Sequence, residues 1–222
     1  MDGTTLHPRV QRLLDKLGLQ FIAGGTIVIS DIELAETCYV HHTSIPVAAT
    51  AYALASPIFA RGRFPKLLFL DLVSKRPGMD ESEAQTLAAV CGVHINPPFW
   101  GSEEPFAKQL LHVLDKYQLG ELFEQDPSRG HNHYAVTPRG FDSRMSTELL
   151  GGLAAWRKAY RGMAPDRQIM AASIVGLYRG GSDKTWLSRV PKTWSAVEGI
   201  STLRGTGALA DWAHLVARYP GW

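Results

Sequence analysis

The chain has 222 residues, 45% of them hydrophobic and 20% charged, enough for one large or two modest domains at a composition near the globular average. No long polar or low-complexity tract is present, which excludes a chain that is disordered throughout. The formal net charge of +2 conceals an asymmetry: residues 1–143 carry 12 Lys plus Arg against 16 Asp plus Glu, and residues 144–222 carry 11 against 5, a pattern that hints at a polyanionic partner.

The predicted elements begin with a helix from about Pro8, where Val10, Leu13, Leu14 and Leu17 share one face and Gly18 stops it. Two β-prone runs, Leu19 to Ala23 and Thr26 to Ser30, flank Gly24-Gly25 and read as a hairpin. Ser30 and Glu33 form a capping-box pattern for a short helix. The uncharged run Ile45 to Ala60 contains Pro46 and Pro57 and is shorter than the roughly 20 apolar residues of a membrane span, so it reads as a buried helix starting near Pro46. The N-terminus opens with Asp2, His7 and Arg9 and shows no apolar signal stretch, so a cytoplasmic location away from the membrane is expected.

After Pro65 an apolar run, Leu67 to Val73, fits strand or helix by pattern alone, and its context favours a helix. Arg76-Pro77-Gly78 breaks it. Asp80, Glu81 and Glu83 then supply the acidic first turn of a helix with Ala84, Leu87, Ala88 and Cys91 inward, ended by Gly92. Glu103 and Glu104 open another helix, with Phe106, Leu110, Leu111, Leu114 and Tyr117 on its inner face and Leu119-Gly120 at its close. A hairpin follows: Leu122 and Phe123, a turn over Asp126 to Gly130, and a return from Tyr134 to Thr137. The remainder is helical, with helix spacing at Leu149, Leu153, Trp156 and Tyr160, then at Ile169, Met170, Ser173, Ile174 and Leu177, and a second capping box at Ser195 and Glu198. No internal repeat is present.

The stretch PKLLFLDLVSKRPGMDESEAQTLAAVCGV, then PFAKQLLHVLDKYQLGELF, then HNHYAVTPRG, resembles the winged-helix family, in particular the MarR-like and PadR-like bacterial regulators, over about a third of the chain. Ala88 is small enough for close helix contact, and Gly92 can take the positive φ of a tight interhelical turn. The resemblance implies that the helix from Pro105 to Tyr117 enters the major groove and that the hairpin tip touches the backbone or minor groove. Lys108, Gln109, His112 and Lys116 lie off the expected apolar face and become candidate nucleic-acid contacts, as do Arg129, His131, His133 and Arg139 on or beside the wing. The chain departs from the family pattern in the enlarged turn HINPPFWGSEEP and in the negative charge of Glu103 and Glu104 at the end that would approach DNA. Winged helices also serve as protein-docking modules, and the acidic balance before position 144 keeps that alternative open.

In the C-terminal part, Arg157, Lys158, Arg161, Arg167, Arg179, Lys184, Arg189, Lys192 and Arg204 are interleaved with Trp156, Tyr160, Tyr178, Trp186 and Trp194. Basic groups there could hold phosphates while aromatics stack on bases, although helix-spaced aromatics are more often core. Cys38 and Cys91, outside any CxxC pair, argue against a zinc ribbon or a disulfide scaffold and for reduced, buried thiols. His131 and His133 alternate on an expected strand and would share a face, a geometry a metal could use with His112 or His94. No G-x-S-x-G, Walker, G-x-G-x-x-G or H-E-x-x-H motif is found. These observations together predict a mainly α protein with small β-hairpins in three regions: 1–62, a central winged helix-turn-helix over 63–143, and a basic helical region over 144–222. The expected role is non-catalytic DNA association without a cofactor, as a regulator or a nucleoprotein subunit. The alternatives are a winged-helix scaffold docking another protein and a His-based metalloenzyme; the expected partners are DNA or another nucleic acid, with a protein partner or a homo-oligomer as the other options.

Overall fold

The structure, a computed structural model, describes residues 19–22, 26–29, 68–74, 81–95, 103–126, 128, 133–142, 145, 147–179 and 194–220. The expected helices from Pro8, Ser30 and Pro46, Cys38, and the candidates Arg129, His131, Lys184, Arg189 and Lys192 lie outside the described residues. The protein is mainly helical with small antiparallel hairpins, as the sequence predicts. Strands β1 (Leu19–Ile22) and β2 (Thr26–Ile29) pair antiparallel in the register Leu19 to Ile29.

Three helices follow: α1 (Phe69–Ser74), α2 (Glu81–Val90) and α3 (Glu103–Lys116). The Leu67 to Val73 run resolves as a helix from Phe69 onward, and α2 gives way to Gly92 at φ +80, the conformation expected of that glycine. Beyond a 3-10 turn at Leu119–Glu121, β3 (Phe123–Gln125) pairs antiparallel with β4 (Val136–Pro138). The return strand begins at Val136, later than the expected Tyr134, because His133–Ala135 form a second 3-10 turn. A smaller hairpin, β5 (Phe141–Asp142) with β6 (Thr147–Glu148), leads into α4 (Gly152–Gly162). Three more helices complete the described chain: α5 (Pro165–Arg179), α6 (Ala196–Gly205) and α7 (Leu209–Ala217). The Ser195 and Glu198 capping box is present in full: the Glu198 N–H donates to Ser195 Oγ at 3.2 Å, and the Ser195 N–H donates to Glu198 Oε2 at 2.9 Å.

One apolar core runs from Phe69 to Tyr219, across both sides of position 143. Its centre is α5, where residues 171–177 are buried without a gap, so this helix is enclosed all round instead of presenting one stripe. Its one buried hydroxyl, Ser173, donates to Ile169 O at 2.8 Å and accepts from Trp212 Nε1 at 3.0 Å, so this group is satisfied inside the core. Helix α1 lies on α5 and α6, and a Cβ at Gly199 of α6 would overlap the Phe69 ring. Helix α7 packs against both α2 and α3, which touch each other less than either touches α7. The helices of the expected winged helix are therefore bridged by the last described helix of the chain.

Candidate functional site

Helix α3 buries Phe106, Ala107, Gln109, Leu110 and Val113, with Tyr117 continuing the stripe. Gln109 is thus a correction to the expected exposed face: it sits at helical spacing between Phe106 and Val113 and points at α7. Its carboxamide is satisfied there, Nε2 donating to Asp211 O at 3.3 Å and Oε1 accepting from Arg218 Nη1 at 3.5 Å. Leu111 and Leu114, expected inward, are half-buried.

The same α7 residue gathers the neighbouring candidates. Asp211 Oδ2 accepts from Lys116 Nζ at 2.6 Å and from the Tyr117 hydroxyl at 2.8 Å, and its Oδ1 lies 3.4 Å from His112 Nε2. Burial works against the Asp211 charge. The hydrogen bonds from Lys116 and Tyr117, with the positive charge of Lys116 and His112, outweigh it and hold the carboxyl below its usual range. Burial, with the hydrogen bond to Asp211, pushes the Tyr117 phenol up. Lys108, at the exposed end of α3, pairs with Glu104 at 2.6 Å one turn earlier. Arg167, one of the basic residues of the C-terminal part, caps α3: its guanidinium donates to Tyr117 O at 2.8 Å and to Gln118 O at 2.6 Å, where Gln118 turns left-handed at φ 48.

His133 is the second correction. It lies in a 3-10 turn, not in a strand, and only 1% of its surface is exposed. Its ring stands edge-on to Phe106 with centroids 5.4 Å apart, and its carbonyl accepts from the Tyr178 hydroxyl at 2.7 Å. Burial lowers its pKa, opposed by Glu103, whose Oε2 is 3.8 Å from Nδ1, so the imidazole is neutral at pH 7 and offers no positive charge to a phosphate. Arg139 is half-exposed, donates through Nε to Gly120 O, and reaches Glu124 Oε2 at 3.5 Å. Among the described residues no group of three or more His, Cys, Asp or Glu could hold a metal. Cys91 is buried, and burial raises its thiol to about 12, out of the reactive range.

Trp156 and Tyr160 are core, 2% and 1% exposed and stacked on each other at 5.3 Å, and the Trp156 indole donates to Leu122 O at 2.9 Å. They are not available to stack on bases. The opposite side of α4 is exposed at Lys158 and Arg161, with Arg157 half-buried and the Arg161 Nε donating to Arg157 O at 3.2 Å. Arg179 ends α5, and its side chain is outside the described set. The sequence reading missed Asp211 altogether. The signal available was a lone acid inside the apolar run LADWAHLVA, which calls for a partner.

The most exposed large apolar side chains described are Leu150 at 106%, Met145 at 70% and Leu149 at 54%, all on the β5–β6 hairpin and its link to α4. Leu149 also lines a shallow groove with Glu124, Gln125, Asp126, Thr137, Phe141 and Asp142. Over residues 119–150 five acids, Glu121, Glu124, Asp126, Asp142 and Glu148, outnumber three arginines. No helix among the described residues is long and apolar enough to cross a membrane. Compared with family models, curated proteins and solved structures, the chain matches none.

Proposed function

We propose that this chain is an interaction protein with a winged-helix-like centre that docks another protein, and that it does not read the DNA major groove with α3. The observation that carries this reading is Asp211: it engages Lys116 and His112, and its backbone carbonyl takes Gln109, so three of the four candidate base contacts on α3 serve the contact with α7. A helix whose polar side chains already have intramolecular partners gains little by exchanging them for phosphate or base contacts. The order helix, helix, helix, hairpin supports the winged-helix part of the proposal. The acidic balance around the hairpins opposes approach of a phosphate backbone, and the exposed Leu149, Leu150 and Met145 supply the apolar centre of a protein contact.

A mobility-shift series on the whole chain is the test, since the shared core makes a fragment ending near position 142 unsuitable. At about 150 mM salt a duplex is expected to remain unshifted, while a protein complex, once formed, is indifferent to added DNA. Sequence-selective binding that is lost in Lys108→Ala would overturn the proposal.

A second reading, nonspecific nucleic-acid binding by α4, is favoured by a separate observation. Lys158 and Arg161 are exposed, and no carboxylate among the described residues pairs with them. That reading predicts binding whose log affinity falls with log salt by about 0.9 per phosphate neutralised, and a slope reduced by about two in Lys158→Glu/Arg161→Glu.

A further inference from the structure

We infer that the partner seated on the Leu149–Leu150 surface is a second copy of this chain, in a twofold dimer; the inference rests on the docking reading above and names its occupant. The surface is held firmly. The Leu149 N–H donates to Gly140 O at 2.9 Å and the Gly152 N–H to Leu149 O at 2.8 Å, and Gly140 and Gly152 approach so closely that a Cβ on either would overlap the other's backbone. The two leucines are thereby presented by a braced link between β6 and α4, not by a loose turn.

Along the chain from that link the charge changes sign. On one side stands the exposed Glu148 immediately before Leu149, and beyond it the groove carboxylates Asp126, Asp142 and Glu124, the last already reached by Arg139. On the other side α4 exposes Ala154 and Ala155, then Lys158 and Arg161, the last about 15 Å from Gly151 at the helical rise of 1.5 Å per residue. An apolar centre with an acidic end and a basic end is self-complementary under a twofold axis: with Leu150 against Leu150, each acidic end meets the other copy's Lys158 and Arg161. A nucleic acid would match only the basic end and would leave Leu149 and Leu150 in water, so the second copy accounts for more of the surface.

Sedimentation of the whole chain over a concentration series to about 100 μM tests this, a range that detects micromolar association. The expected result is a monomer–dimer equilibrium that Leu150→Glu weakens at least tenfold with an unchanged circular dichroism spectrum. Folding cannot explain a charge exchange: Glu148→Lys and Lys158→Glu should each weaken self-association, and their equimolar mixture should restore a heterodimer in which both crossed contacts are attractive. A wild type that stays monomeric throughout, a dimer untouched by Leu150→Glu, or a mixture no more associated than its components overturns the second copy. None of those results alters the DNA series above, on which the docking reading separately stands. A monomer that binds a duplex through Lys158 replaces both with phosphate binding.

Discussion

Two helices were expected to face DNA, and they turn out to be opposites. On α3 the polar positions Gln109, His112 and Lys116 converge on Asp211 of α7, so each already has a partner within the molecule. On α4 the positions Lys158 and Arg161 stand in water, while the aromatic half of the same helix, Trp156 and Tyr160, is sealed in the core. Both helices offer basic side chains in the sequence, Lys108 and Lys116 on α3 and Arg157, Lys158 and Arg161 on α4. What separates them is whether an acid from a distant helix arrives at the same place, and on α3 one carboxylate with 15% of its side chain exposed decides the outcome. A basic helical stripe is therefore evidence for an anionic partner only after the chain's own anions have been placed.

The largest effect should come from removing that carboxylate. Asp211→Ala takes away acceptors for Lys116 and Tyr117 at once, and charged hydrogen bonds of this kind contribute about 1.5–3 kcal/mol each when partly buried, so a loss of about 3 kcal/mol in urea unfolding is expected. If Asp211→Ala unfolds with the wild-type midpoint, α3 is not clamped to α7 and its basic residues return to the list of DNA contacts.

The same carboxyl sets a pH dependence. Its pKa is held below the unfolded value, so its stabilising contribution is complete above the ordinary carboxylate range near 3.8 and is lost as pH falls through the lower folded value. Unfolding free energy should decline more steeply on acidification from pH 5 to pH 2 in the wild type than in Asp211→Asn. Parallel curves for the two proteins would show that Asp211 is not held charged by Lys116 and Tyr117.

The elements were legible where the signals are local. Apolar spacing and caps place α1 to α6 in order, the capping box at Ser195 is present as read, and Gly92 takes the positive φ its position requires. The site was less legible because its partners are remote: Gln109 meets an acceptor 102 positions away, and Tyr117 one 94 positions away. Polar residues on the inner stripe of α3 look like surface until α7 is in place. His133 misled for a related reason, since the alternation His131, Asn132, His133 suggests a strand, whereas the packing of Phe106 and Tyr178 around the ring favours a tight buried turn.

Lys116→Ala should lower stability by about 0.5–1 kcal/mol, less than Asp211→Ala, because the lysine is half-exposed and Tyr117 still satisfies Asp211 Oδ2. A cost equal to that of Asp211→Ala would mean that the ion pair, not the Tyr117 hydrogen bond, dominates the clamp.

The smallest effect on stability belongs to α4. Lys158→Ala/Arg161→Ala removes two exposed side chains that no described carboxylate engages, so the unfolding midpoint should move by no more than about 0.5 kcal/mol equivalent. Its consequence should appear elsewhere, as weaker self-association whose dependence on salt is reduced, because electrostatic attraction across an exposed rim is screened within a Debye length of about 8 Å at physiological ionic strength. A large loss of stability in this variant would show that α4 also carries an internal electrostatic contact, and the contrast between the two helices would collapse. Unchanged stability with a reduced salt dependence would establish that α3 spends its basic residues on the fold and α4 keeps them for a partner.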